Sequence, residues 1–169
     1  MASAVTTDKL FSRMSLRSYD HDPGSTSAVV VSGDGGTTKN YLDMTGYSDF
    51  AVICMNSVST SSSGPTLVEI LAADDTAGTN ATVVVTSGTV ASTHVGDNVC
   101  VQCTAAQMKE VLATARYATA RITCSNAGDE CVVMMGRFNP RAPQSGLTAN
   151  LITSIGTCVM IFATQPLYD

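Results

Sequence analysis

Residues 117–137 read Tyr-Ala-Thr-Ala-Arg-Ile-Thr-Cys, then Ser-Asn-Ala-Gly-Asp-Glu, then Cys-Val-Val-Met-Met-Gly-Arg. The two outer runs are rich in β-branched and apolar residues, which suit a pleated, half-buried surface. The middle run contains turn-forming residues, so the sequence predicts a β-hairpin centred on Ala127-Gly128. In that register Cys124 lies opposite Cys131.

Similar short runs occur on both sides of this stretch, each bounded by Gly, Ser, Thr, Asn or Asp. They cover residues 28–32, 49–56, 66–73, 81–86, 98–103 and 157–163. Counted with the two runs of the hairpin, they give about eight strands at short, even spacing. This spacing predicts an all-β fold, either a β-sandwich or a jelly roll.

One short helix is predicted between two of the strands. Thr104 is followed three residues later by Gln107, the spacing of a capping box. Met108, Val111 and Leu112 then share one helical face. The pattern lasts only about two turns, so we expect a connector and not a separate layer.

The chain of 169 residues fits a single domain. Residues 1–25 are interpreted as an extended N-terminal arm, because their apolar side chains follow no long periodic pattern before the turn at Asp22-Pro-Gly-Ser25. Residues 26–169 are interpreted as one β-sandwich, jelly-roll-like domain. The arm is expected to dock on its own domain or on a neighbouring subunit.

Composition points to assembly with other proteins. Only 14% of the residues are charged, against 44% hydrophobic residues, and a usual domain is about one quarter charged. The net charge of −5 makes nucleic acid a poor partner. No apolar run is long enough to span a bilayer, and the N-terminus lacks the pattern of a signal peptide, so synthesis in the cytoplasm is expected.

Charges are unevenly distributed along the chain. Residues 41–108 contain no Lys or Arg, whereas basic residues occur in 9–39 and again in 109–141. Such asymmetry suits head-to-tail contacts between copies around a rotation axis. The alternative is ordinary surface charge, with the two groups mixed by folding.

The six cysteines are interpreted as free and mostly buried thiols, since nothing indicates export. Cys100 and Cys103 form a CxxC motif, but no second pair stands at zinc-ribbon spacing. A cross-strand disulfide between Cys124 and Cys131 is the alternative at the predicted hairpin. A small thiol enzyme using Cys100 or Cys103 is a further alternative, and it would need a base that the sequence does not nominate.

The two histidines, His21 and His94, are expected at the surface. No Ser, Cys or carboxylate stands at the spacing of a known triad, and the acidic pairs in turns lack the spacing of a calcium loop. The sequence therefore predicts a non-enzymatic protein with no catalytic residue, no metal site and no cofactor.

Four pieces of the chain resemble the small structural proteins that tailed bacteriophages encode beside their capsid genes. These are Leu42-Asp-Met-Thr-Gly-Tyr-Ser-Asp-Phe-Ala-Val52, Val68-Glu-Ile-Leu-Ala-Ala-Asp-Asp-Thr-Ala-Gly78, Ala115-Arg-Tyr-Ala-Thr-Ala-Arg-Ile-Thr123 and Gly136-Arg-Phe-Asn-Pro-Arg-Ala-Pro143. The resemblance covers residues 41–143, somewhat over half of the chain. The arm before Asp22 and the run after Ile155 lie outside it.

The resemblance implies a capsid decoration, or cement, protein on the outside of the virion. Such proteins commonly form homotrimers that bind the major capsid protein. The expected partner-binding residues belong to the arm and the C-terminal segment, and two further arginines, Arg137 and Arg141, are expected to form intersubunit ion pairs. They are Leu10, Phe11, Arg13, Met14, Arg17, Arg137, Arg141, Ile155, Phe162 and Tyr168.

The alternative function is a phage surface module that recognises host glycans through the loops at residues 58–65 and 86–96. Sugar sites usually present exposed aromatic side chains, and these two loops contain none.

Overall fold

The computed structural model describes residues 14–22, 24–32, 39–58, 64–90 and 98–140. These residues form nine strands and one short helix. The elements are β1 (Met14–His21), β2 (Val29–Val30), β3 (Leu42–Asp43), β4 (Tyr47–Val58), β5 (Pro65–Ala73), β6 (Thr82–Thr86), β7 (Val99–Thr104), α1 (Ala105–Val111), β8 (Tyr117–Cys124) and β9 (Glu130–Pro140). The predicted all-β sandwich with one short helix is confirmed.

The strands form two antiparallel sheets. Sheet A has the order β1-β9-β4-β7 and sheet B the order β2-β8-β5-β6, with β3 also paired to β8. If β2 and β3 are counted as one interrupted strand, the eight strands are ordered 1-8-3-6 and 2-7-4-5. All but one of the connections then cross between the sheets. This is the strand order of a jelly roll.

The predicted hairpin between β8 and β9 is wrong. β8 pairs with β5 in sheet B, whereas β9 pairs with β4 and β1 in sheet A. The connecting residues hold a compact arch, because the buried carboxylate of Asp129 accepts hydrogen bonds from Ser125 Oγ at 3.2 Å and Asn126 N at 3.0 Å. Cys124 and Cys131 still meet, but they do so across the core and not across a ladder.

The core lies between the sheets and follows the alternation of each strand. On β4 the inward residues are Phe50, Val52 and Cys54, and all three are completely buried. Strand β8 buries Ala118, Ala120, Ile122 and Cys124 from the other sheet. Because successive side chains of a strand point to opposite faces, the residues between them face outward.

Part of the predicted arm is a strand of the sandwich. Strand β1 pairs with β9 along its whole length, from Met14 opposite Phe138 to His21 opposite Cys131. The arm therefore docks on its own domain over residues 14–21. Residues 1–13 and the predicted last strand at 157–163 lie outside the described residues.

The helix begins where the sequence predicts it. Thr104 Oγ1 accepts from Gln107 N at 3.1 Å, and Gln107 Oε1 accepts from Thr104 N at 2.9 Å, so the capping box is complete. Met108 is buried in the core, but Val111 is 43% exposed. Met108 and Val111, which the sequence predicts on one helical face, therefore differ in burial: Met108 packs in the core and Val111 is exposed.

Arg137 ties the edge strand of sheet A to sheet B. Its Nη1 donates to the backbone oxygen of Asp43 on β3 at 2.6 Å, and its Nη2 donates to Ser15 Oγ on β1 at 2.9 Å. The guanidinium carbon also lies 4.6 Å from the ring centroid of Tyr47, within cation–π range. The sequence assigns Arg137 to a contact between subunits, whereas here its guanidinium is engaged within the chain.

Replacing Arg137 by alanine is expected to lower the free energy of unfolding by about 2 kcal/mol, because two charge-assisted hydrogen bonds are lost. Urea unfolding followed by circular dichroism measures the change. Arg116→Ala is the matched control. Arg116 forms an ion pair with Asp43 at 2.7 Å, but its side chain is 55% exposed, so water screens that pair. An equal loss in the two variants would contradict this role of Arg137.

Candidate interaction surface

The strand registers define the outer face of sheet A. Residues directly opposite each other on neighbouring strands share a face. Leu16 and Ala51 are both register partners of Gly136, and Ile53 is a partner of Met134. These residues alternate with the buried residues of the core, so they point away from sheet B.

This outer face is apolar. We call the following residues the outer apolar face: Met14, Leu16, Ala51, Ile53, Met55, Val132, Met134 and Phe138. All are half-buried except Ile53, which is 37% exposed. The charged residues on this side of the described sheet, Asp20, Asp49 and Glu130, stand near strand ends.

A glycine makes the face continuous at one end. A Cβ atom on Gly136 would lie 2.5 Å from Leu16 Cδ2 and 2.7 Å from Phe138 Cζ. The absence of a side chain at this position therefore lets Leu16 and Phe138 lie over the backbone of β9. Together they form an unbroken apolar surface across β1 and β9.

The outer face of sheet B is different. There Glu69 and Arg121 are register partners, and Arg121 Nε lies 2.6 Å from Glu69 Oε2. The Glu69 side chain is 10% exposed and the Arg121 side chain is 32% exposed. An antiparallel sheet commonly has one core face and one polar face, and sheet B includes this polar pair. In sheet A the outward residues of β4 and β9 are apolar between the strand ends, whereas β1 and β7 also present the polar residues Ser18 and Gln102. A contiguous apolar patch of this kind is typical of a surface that another protein covers.

Folding mixes the acidic and basic parts of the chain. Asp43 and Glu69 belong to the stretch that lacks Lys and Arg, and they pair with Arg116 at 2.7 Å and Arg121 at 2.6 Å. The hydrogen bond with Arg116 holds the pKa of Asp43 far below its ordinary value. The charge asymmetry of the sequence is thus partly neutralised inside one molecule.

Three of the predicted partner-binding residues belong to the described part of the chain. Met14 lies on the outer apolar face, Arg17 is exposed on β1, and Arg137 is held within the chain. The remaining ones lie outside the described residues: Leu10, Phe11, Arg13, Arg141, Ile155, Phe162 and Tyr168. The loops assigned to glycan binding also fall largely outside, at 59–63 and 91–97.

The CxxC motif does not form a dithiol pair. Cys100 is opposite Ile53 on the outer side, whereas Cys103 is opposite Phe50 on the core side. Burial raises the pKa of the Cys103 thiol to about 12, which makes it a poor nucleophile. Within the described ranges, no group of three or more His, Cys, Asp or Glu residues is arranged to hold a metal ion.

The expectation that His21 lies at the surface is wrong. The alternation of β1 turns its ring inward, beside Cys131 on β9, and the side chain is completely buried. Among the described residues, neither Nδ1 nor Nε2 has a hydrogen-bond partner. Burial lowers the pKa of His21, and the nearby carboxylates of Asp22 and Asp20 oppose this shift only in part.

The fold and this surface define a jelly-roll sandwich with an apolar patch on the outer side of sheet A, along β4 and β9. No helix in the part of the chain that the structure describes is long and apolar enough to cross a membrane. Comparison with protein-family models, with curated proteins and with solved structures found no match.

Stability is expected to fall with acidification because of His21. Its folded pKa lies below the unfolded value of 6.5, so the unfolded chain binds the proton more readily. Stability that is present above pH 6.5 is therefore lost as the pH falls toward the folded pKa. Urea unfolding at a series of pH values gives the slope of the free energy of unfolding against pH.

The variant His21→Phe should show a flatter dependence in this range, because it has no proton to bind at that position. His94→Gln, which removes a histidine but leaves His21 in place, serves as the control. If His21→Phe retains the same slope as the unmodified chain, another group must cause the acid sensitivity.

Proposed function

We propose that the chain is a non-enzymatic structural protein of a virion. In this proposal it decorates and stabilises a tailed-phage capsid by binding the major capsid protein, and it acts as an oligomer, a homotrimer. The observation that carries the proposal is the outer apolar face of sheet A.

The composition of this face suits a subunit contact. Protein interfaces are enriched in methionine and aromatic residues and depleted of charge at their centre. The outer apolar face contains Met14, Met55, Met134 and Phe138, and its charged neighbours stand near strand ends. Covering it with another protein would remove apolar surface from water, which favours association. Many copies on one shell would turn modest contacts into firm attachment.

The first and last described residues, Met14 and Pro140, lie on neighbouring strands at one edge of this face. Because Met14 is opposite Phe138, residues 1–13 and 141–169 are joined to sheet A at one corner. The two segments that hold the remaining predicted contact residues are therefore joined to the chain at neighbouring positions, Met14 and Pro140. Residues 142–168 contain no charged side chain, a composition that favours burial against protein.

The thiols of the CxxC motif and the His21 ring lie in structural surroundings. Cys103 lies in the core with a raised pKa, Cys100 faces the opposite side of its strand, and His21 is sealed between the sheets. These placements support a structural role over the thiol-enzyme alternative.

A charge on the outer apolar face should weaken assembly. Ile53→Asp changes the most exposed residue of the face, so the fold should tolerate it, but docking would bury an unpaired carboxylate. We expect affinity for empty heads of the encoding phage to fall about tenfold or more. Co-sedimentation measures binding, and light scattering after gel filtration measures the oligomer.

The matched control is Thr86→Asp. Thr86 is exposed and is the register partner of Glu69, so it adds the same charge to the outer face of sheet B. It should bind heads as the unmodified chain does. If Ile53→Asp and Thr86→Asp bind heads equally well, the outer apolar face is not the surface that binds them. A monomer that ignores heads and binds cell-surface polysaccharide would replace the proposal by the glycan-binding alternative.

A further inference from the structure

Three buried thiols meet at one end of the core. They belong to Cys54 on β4, Cys131 on β9 and Cys124 on β8, and each is at most 1% exposed. The Sγ atoms of Cys124 and Cys131 are 3.8 Å apart. Cys54 is on the strand that pairs with β9, two register positions from Cys131 on the same face. Cys131 thus has one thiol neighbour in its own sheet and one in the opposite sheet.

From this arrangement we propose that Cys124 and Cys131 form a disulfide that cross-links the two sheets once the protein meets an oxidant. A disulfide joins its sulfurs at about 2.05 Å, so the 3.8 Å gap must close by less than 2 Å. Small side-chain rotations on two facing strands move sulfur atoms over such distances. The proposal does not depend on the outer apolar face or on a virion function.

The alternative partner, Cys54, is less well placed for a bond. Cys54 is the register partner of Val133, and Cys131 is the register partner of Asn56, so the two cysteines are diagonal neighbours. Diagonal neighbours on adjacent strands are about 7–8 Å apart, beyond the usual Cα separation of a disulfide. The pair proposed to form the bond is therefore Cys124 and Cys131, whose Sγ atoms are 3.8 Å apart.

The oxidation balances with hydrogen peroxide as the co-reactant. The thiolate of Cys131 attacks one peroxide oxygen, the O–O bond breaks, and a sulfenic acid forms. The hydroxide that leaves takes up the proton released by the Cys131 thiol and becomes water. The sulfur of Cys124 then displaces the hydroxyl group, so that an S–S bond forms and an S–O bond breaks. The leaving hydroxide takes the proton of the Cys124 thiol and becomes water. Two thiols lose two protons and two electrons, and hydrogen peroxide becomes two waters.

The surroundings make this reaction slow. The hydrogen bond with Cys131 and burial raise the pKa of Cys124. For Cys131 the contact with Cys124 lowers the pKa, but the contact with Cys54 and burial raise it to about 12 overall. Few thiolates are present at neutral pH, so oxidation waits for brief opening of the arch between β8 and β9. The protein would remain reduced in the cytoplasm and be cross-linked after release.

Peptide mapping of the full-length protein tests the proposal. Trypsin should release Ile122–Arg137 as one peptide that holds both thiols, because no other Lys or Arg lies within it. The reduced protein is treated with hydrogen peroxide and then denatured, alkylated and digested without reductant. The expected peptide has lost two hydrogens and carries no alkyl group, apart from added oxygen on its methionines. Thermal unfolding should rise by about 5–10 °C and return after reduction.

The variants separate the three thiols. Cys54→Ser should keep the cross-link and the thermal shift, whereas Cys124→Ser should lose both. Oxidation of the exposed Cys100 shows that the peroxide treatment was effective. If peptide 122–137 is still fully alkylated in that sample, the proposal is overturned. A link from Cys54 to Cys131 would also overturn it. Because the peptide map is made on the unmodified chain, poor folding of a variant does not leave the question open.

Discussion

The structure depends on two strands of sheet A that are apolar on both faces. Strands β4 and β9 turn Phe50, Val52 and Met135 into the core, and they turn Ile53 and Met134 outward. The inward set joins the sheets, since burial of apolar surface is the main favourable term in folding. The long pairing of β9 with β4 also draws β9 away from β8. Formation of the sandwich therefore leaves an apolar face that the described chain does not bury.

Local patterns in the sequence were enough for the class of fold. Short β-branched runs at even spacing predict the sandwich, and the spacing of Thr104 and Gln107 predicts the helix, which the structure confirms. The hairpin failed because turn residues show that the chain reverses, but not which sheet the next strand joins. Strand β1 was interpreted as part of an arm, because the apolar side chains of residues 1–25 follow no long periodic pattern. Met14–His21 forms a strand although it has no β-branched residue. Pairing with β9 overrides that weak local preference.

The candidate surface was only partly visible in the sequence. A signal was present, because residues 50–55 and 131–135 are apolar at both odd and even positions, as in strands buried on both faces. The predicted contacts instead concentrated in the N-terminal arm and the C-terminal segment, and of the three that the structure describes, Met14 lies on the face. Arg137 and His21 could not be placed from sequence, because their neighbours come from β3, β1 and β9. Such neighbours are set by register between distant strands.

Methionine oxidation tests most directly whether another protein covers the outer apolar face. Met134 and Met135 are consecutive, but Met134 faces outward and Met135 is completely buried in the core. Their oxidation by dilute peroxide would be followed by mass spectrometry, first for the free protein and then with phage heads. The account predicts that heads protect Met134 and the outward Met55, while Met135 reacts slowly in both samples. Equal oxidation of Met134 in the free and head-bound protein would contradict it.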